Sequence, residues 1–98
     1  MWNHNYYIYI TTNSRKTALY VGVTNNLGER LYTHTQNSGK PDTFAGRYFC
    51  YNLVYYEHFD NIEEAIARET ELKTWRREKK MALIDAFNPE WQFLNKQI

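Results

Sequence analysis

Glu69 stands among Ile62, Ala65, Ile66 and Leu72, apolar residues that recur at helical spacing. A carboxylate on such a face costs several kcal/mol to bury unpaired, so it calls for a cation: a metal ion, or Lys73 four residues on. Arg30 and His34 lie one helical turn apart, a guanidinium that can bind two oxyanion oxygens at once and an imidazole that titrates near neutrality. Tyr9 and Tyr20 fall in two short runs of β-branched and aromatic residues. A phenol of ordinary pKa, ~10, is a poor base at neutral pH unless a nearby cation lowers it. Finally, the stretch from Lys73 to Lys80 carries Lys73, Arg76, Arg77, Lys79 and Lys80 against the single acid Glu78, with Trp75 among them. Such a cluster suits phosphate-backbone contacts. Each feature also has a plainer reading: an intrahelical ion pair, a surface arginine, cross-strand packing, a solvated helix face.

The elements that must position these groups are legible from pattern. Residues 5–11 and 17–24 read as strands joined by the polar turn Asn13-Ser14-Arg15-Lys16. Closing the hairpin on that turn sets Tyr9 opposite Tyr20, Ile10 opposite Leu19 and Ile8 opposite Val21. One face then carries Tyr6, Ile8, Ile10, Leu19, Val21 and Val23; the other carries Tyr7, Tyr9, Tyr20, Gly22 and Thr24. Asn26 with Glu29 predicts a helix start, with Leu27 and Leu31 as its apolar stripe and Asn37-Ser38-Gly39 as its stop. Residues 38–47, with two glycines, a proline, Lys40 and Arg47, form a loop. Residues 48–59 predict a third strand. Asp60 with Glu63 caps a second helix, and a stretch at about 79–87 predicts a third that buries Leu83, Ile84 and Phe87 and ends at Asn88-Pro89. Trp91, Phe93 and Leu94 pack back.

Ninety-eight residues, 43% hydrophobic and 17% aromatic, predict a single domain spanning 1–98. The net charge of +1 leaves a nucleic-acid partner to be decided by local clustering. Cys50 is the only cysteine, which excludes an intramolecular disulfide and a cysteine-rich zinc site. With no secretory leader pattern and no apolar run of roughly 18 residues, a cytoplasmic protein without a membrane partner is expected.

Tyr7-Ile8-Tyr9, a spacer, then Tyr20-Val21-Gly22, with Arg30 and His34 on the next helix, resembles the GIY-YIG nuclease superfamily. Glu69, the strand Leu53-Val54-Tyr55-Tyr56-Glu57, and Asn88-Pro89-Glu90-Trp91 resemble its small stand-alone bacterial branch, often labelled excinuclease-like. The likeness spans nearly the whole chain. It departs at the glycine that opens the first signature, replaced here by Tyr7, which is expected to narrow backbone access beside the site.

The resemblance implies an α+β fold, a three-stranded antiparallel sheet flanked by helices, and metal-dependent hydrolysis of phosphodiester bonds in DNA, RNA being the less expected substrate. It makes Glu69 the ligand of Mg2+ or Mn2+, gives Arg30 the transition-state phosphate, and assigns Tyr9 or Tyr20 with His34 to the attacking water. Gly22 would admit backbone or phosphate to the strand, and Asn88 would support the site or contact phosphate. Lys40 and Arg47 would close over the nucleic acid, and Lys73, Arg76, Arg77, Lys79 and Lys80 would track its backbone. Nucleases of this family commonly carry a separate targeting domain, for which no room is expected here, so weak sequence preference, selectivity for DNA structure or targeting by a protein partner is expected. The rival readings are a catalytically silent nucleic-acid-binding module and a protein-interaction domain that keeps only the scaffold.

Overall fold

The computed structural model describes residues 5–36 and 47–98, the side chain of His34 excepted. Three strands, β1 (Tyr6–Thr12), β2 (Leu19–Thr24) and β3 (Asn52–Phe59), form one antiparallel sheet in the order β2-β1-β3. Among the described residues three α-helices accompany them: α1 (Leu27–Gln36), α2 (Ile62–Thr74) and α3 (Arg77–Phe87). The expected α+β architecture is therefore observed. The third strand is shorter than its apolar composition predicts. It starts at Asn52, because Tyr48 and Phe49 lie in a turn where Phe49 adopts a φ of 60°, off the extended path.

The hairpin keeps the predicted faces but not the predicted register. Tyr9 pairs with Gly22, Ile10 with Val21 and Thr11 with Tyr20, two residues away from the expected pairing. A slip of two preserves which side chains share a face, so the error leaves the layers intact. Its cause is the loop, which runs over residues 13–18 rather than four residues. Asn13 organises it: Oδ1 accepts from the backbone of Thr17 at 2.8 Å and Ala18 at 3.1 Å, while Nδ2 donates to Thr17 Oγ1 at 2.7 Å. Lys16 closes the turn at φ 60°, with its backbone N–H on Asn13 O.

Two apolar layers sandwich the sheet. Ile8, Ile10, Val21, Val54 and Tyr55 pack beneath Ala65 and Leu72 of α2 and Ile84 of α3, with Trp75 and Trp91 at the margin. On the other face Tyr9 and Leu53 pack with Leu27 and Leu31 of α1 and Leu94 of the tail. Expectation and structure differ at Ile62, Ile66 and Phe87, which are exposed: α2 turns only its Ala65–Leu72 line inward, and Phe87 sits at the last position of α3, edge-on to Tyr55 and Tyr56. Both caps use asparagine. Asn26 Oδ1 accepts from the Glu29 N–H at 3.0 Å as predicted, whereas α2 is capped by Asn61, one residue beyond the predicted Asp60, through Glu63 N at 2.7 Å.

Candidate active site

β1 and α1 meet at the phenol of Tyr9, with Glu69 of α2 within electrostatic reach. The ring is fully buried, and its Oη accepts a hydrogen bond from Arg30 Nε at 3.1 Å. Gly22 makes that burial possible. A Cβ built there would lie 2.5 Å from Tyr9 Cζ and 2.9 Å from Cε1, inside the volume of the ring. The space that a side chain at Gly22 would take is filled by the Tyr9 ring.

Burial pushes the Tyr9 phenol up to about 12; the Arg30 hydrogen bond opposes this, while Tyr20 and Glu69 add to it through their charge. Glu69 therefore acts electrostatically on the same phenol as Arg30, although 39 positions separate them in sequence. The Arg30 guanidinium is held above its ordinary value, chiefly by the hydrogen bond to Tyr9. The half-buried ring of Tyr20 lies beside that of Tyr9, centroids 6.2 Å apart.

Glu69 is largely buried, with 17% of its side chain exposed, and Lys73 Nζ lies 3.3 Å from its Oε2. The cation demanded by a carboxylate on this face is thus met in part by the i,i+4 lysine. Among the described residues no group of three His, Cys, Asp or Glu side chains is placed to hold a metal. The donor set still fits Mg2+, which is commonly bound by one or two carboxylates plus substrate phosphates and water rather than by a cage of protein ligands. Glu69 is the carboxylate that would serve.

The remaining predicted residues scatter. His34 lies on α1, one turn beyond Arg30, and Lys40 lies outside the described residues. Arg47 is exposed, just before the turn that leads to β3. The basic run is a junction between helices rather than one helical face, since Trp75 ends α2 and Arg76 precedes α3. Lys73 alone in it touches the Tyr9–Arg30–Glu69 group, through Glu69. Lys79 sits over the Trp75 ring at 4.2 Å, Arg68 is on that ring at 5.2 Å, and Arg77 donates to Lys16 O at 3.2 Å. Arg76 is exposed and Lys80 half-buried.

Asn88 is committed to the fold. It is buried, its Nδ2 donates to Val54 O at 3.1 Å and Gln92 O at 2.8 Å, and its Oδ1 accepts from Gln92 N at 3.0 Å. Its side chain thus ties the end of α3 to β3 and to the segment that follows. A second internal network joins Arg68 to Glu57 at 3.0 Å and to Glu71 at 2.8 Å, with the Tyr55 hydroxyl donating to Glu57. It lies on the α2 side of the sheet, and burial holds the Tyr55 phenol above its ordinary value.

Sequence reasoning missed Tyr56, Asn25 and Asn26 as lining residues around the site. Asn25 and Asn26 border a cleft of about 220 Å³ with Arg30, Glu29 and Thr33. The signal was available in their position directly between the second signature and the helix that carries Arg30.

The family described as the GIY-YIG catalytic domain matches residues 5–82. The chain is 38% identical over 90 residues to a UPF0213 protein of Bacillus pumilus, covering 92% of this chain and 89% of that one. A UPF0213 protein of Clostridium perfringens is 36% identical over 92 residues, covering 94% and 96%. The solution NMR structure of a UPF0213 protein from Bacillus halodurans superposes with a TM-score of 0.56 at 30% identity, over 89% of each chain. The matched span holds both strand signatures, Arg30 and Glu69. By sequence and by fold, this chain belongs to the GIY-YIG family, a family of nucleases.

Proposed function

We propose that the protein is a divalent-metal-dependent endonuclease that hydrolyses phosphodiester bonds in DNA with weak sequence preference, acting in the cytoplasm in a repair-type, excinuclease-like role. The observation that carries this reading is the hydrogen bond from Arg30 to the buried Tyr9 phenol, with Glu69 within electrostatic reach of the same group. A cation-binding carboxylate and a phosphate-binding guanidinium held within electrostatic reach of one group are what phosphoryl hydrolysis requires.

Each residue has a distinct task. Arg30, oriented by Tyr9, neutralises charge on the phosphate as the attacking oxygen adds, using a planar guanidinium that can bind two oxygens. Tyr9, whose pKa lies at about 12, stays protonated at neutral pH and is a positioning residue. That leaves Tyr20, half-buried on the same face, to orient the water with His34. Glu69 would hold Mg2+ or Mn2+, with Lys73 yielding to the metal; when bound, the cation supplies Lewis-acid charge to the phosphate and the leaving oxygen. Arg76, Arg77, Lys79, Lys80, Lys40 and Arg47 supply longer-range attraction for the nucleic-acid backbone.

One observation favours the silent binding module: Lys73 already satisfies Glu69 without a metal. Cleavage assays separate the two. Supercoiled, linear, single-stranded and branched DNA, with RNA alongside, are incubated with Mg2+, Mn2+ or chelator, beside folded Glu69→Ala and Arg30→Lys variants. Metal-dependent nicking by the native protein, lost in Glu69→Ala and strongly reduced in Arg30→Lys, is the expected result. No product from any substrate, with salt-sensitive binding retained, overturns the nuclease reading in favour of the binding module.

A further inference from the structure

Tyr7 occupies the place of the glycine that opens the first signature, two residues before Tyr9 on the same face of β1. Its ring meets Tyr56 edge-on, centroids 6.4 Å apart at 65°, and His58 at 5.2 Å. Tyr7 and Tyr56 line a cavity of about 380 Å³ whose opposite wall is formed by Asn25, Asn26 and Leu27 at the start of α1. The ring of Tyr7 gives this recess an aromatic wall.

Two properties define what the recess can hold. None of the side chains lining it carries a charge, so they offer neither a counter-ion for phosphate nor a carboxylate for a metal. It also shares Asn25 and Asn26 with the cleft that contains Arg30. A charged recess for phosphate and a neutral aromatic one thus lie side by side across one asparagine wall. The division matches a nucleotide, with its anionic phosphate and its flat neutral base. The rings of Tyr7 and Tyr56 cross at a steep angle instead of stacking on one another, which leaves a base to lie against one of them.

We infer that this cavity receives a single unstacked nucleobase adjoining the phosphate held by Arg30, with Tyr7 as the stacking residue. A base inside a duplex cannot enter it without leaving its stack, so the preferred substrate is DNA with an unpaired nucleotide at the cleavage point: a gap, flap or single strand. Aromatic stacking accepts every base, in keeping with weak sequence preference. The identity of the strand as DNA rests on the nuclease reading above; the base pocket is tested separately from it.

The test uses gapped DNA carrying 2-aminopurine at the unpaired position, in chelator so that no cleavage occurs. Binding should quench the probe with the native protein and with Tyr7→Phe, which keeps the ring. Tyr7→Leu, which keeps bulk without a π-face, should abolish quenching and weaken binding of the gapped strand about tenfold, with little effect on binding of intact duplex. Tyr56→Leu, on the adjoining wall, should reduce the quench as well. Equal quenching and affinity in native and folded Tyr7→Leu protein would overturn the inference, as would native protein that leaves the probe unquenched. If Tyr7→Leu does not fold, Tyr7→Phe and Tyr56→Leu decide: loss of the quench in Tyr7→Phe, or an unchanged quench in Tyr56→Leu, overturns it. Tyr7-dependent quenching without metal-dependent nicking would retain the pocket and refute the nuclease; nicking with no dependence on Tyr7 would do the reverse.

Discussion

Gly22→Ala is the smallest substitution that tests how the site is built. The new methyl carbon would stand 2.5 Å from Tyr9 Cζ and 2.9 Å from Cε1, whereas carbon atoms pack at about 3.5–4.0 Å. The ring must therefore retreat by about 1 Å. It has little room, being fully buried in the layer that includes Leu27, Leu31, Leu53 and Leu94. Overpacking of this kind costs about 1–3 kcal/mol. Displacing Oη from Arg30 Nε, now 3.1 Å away, removes a hydrogen bond to a charged group and adds about 1–2 kcal/mol. The expected loss is then about 2–5 kcal/mol, a large share of the ~5–15 kcal/mol typical of a whole domain. Urea unfolding of native, Gly22→Ala, Tyr9→Leu and doubly substituted protein measures it. Because Tyr9→Leu takes away the ring that the methyl would strike, the double variant should be more stable than the sum of the two single losses predicts, by at least ~1 kcal/mol. A Gly22→Ala loss below ~0.5 kcal/mol, or simple additivity in the double variant, would refute the argument that this glycine exists to admit the tyrosine.

Other expectations follow from the same geometry. With its folded pKa raised to about 12 from an ordinary 10, Tyr9 contributes stability that is fully present below pH 10 and is lost as pH rises through 12; denaturant unfolding across that range should show a fall of about 2–3 kcal/mol that Tyr9→Phe lacks. Asn88→Ala should cost about 2–4 kcal/mol by calorimetry, because it leaves buried partners on Val54 and Gln92 unsatisfied; intact stability with selectively lost DNA binding would instead favour a phosphate contact. Lys73→Gln should lower the Mn2+ concentration needed for half-maximal cleavage a few-fold, since the pair it releases is half-exposed and such pairs are worth about 0–1 kcal/mol. A higher Mn2+ requirement would show that Lys73 assists the metal site rather than competing with it.

What the sequence made legible was periodic, and what it hid was set by single side chains at loops and depths. Alternation fixed which residues of β1 and β2 share a face, but alternation repeats every two residues and cannot distinguish a register from one slipped by two. The Asn13 side chain made that choice by folding the loop around its own amide. The same limit appears at the second helix, where Asp60 and Asn61 are both competent caps and only the path of the chain selects Asn61. Chemistry followed the rule as well. Tyr9, Arg30 and Glu69 were recognisable by type and order, and Lys73 by its i,i+4 spacing as a partner for Glu69, yet nothing in the spacing said that Tyr9 is buried. Asn88 was legible only as the residue that ends a helix, because its ties to Val54 and Gln92 depend on tertiary closure.

The corrected register also gives the two short signatures a shared physical meaning. Tyr9 ends one and Gly22 ends the other, and they are direct partners across the β1–β2 ladder. Under the expected pairing of Tyr9 with Tyr20, two large rings would have contended for the same ground and neither would have been driven inward. Opposed to glycine, Tyr9 folds over the neighbouring strand and is buried, which raises its pKa and so fixes it as a neutral phenol. A neutral hydroxyl accepting from Arg30 Nε steadies the guanidinium without cancelling its charge, as an aspartate in the same place would. On the proposed role of Arg30, the positive charge would therefore remain available to an incoming phosphate. A glycine on one strand would then act on phosphate affinity two contacts away, through a ring that it never bonds.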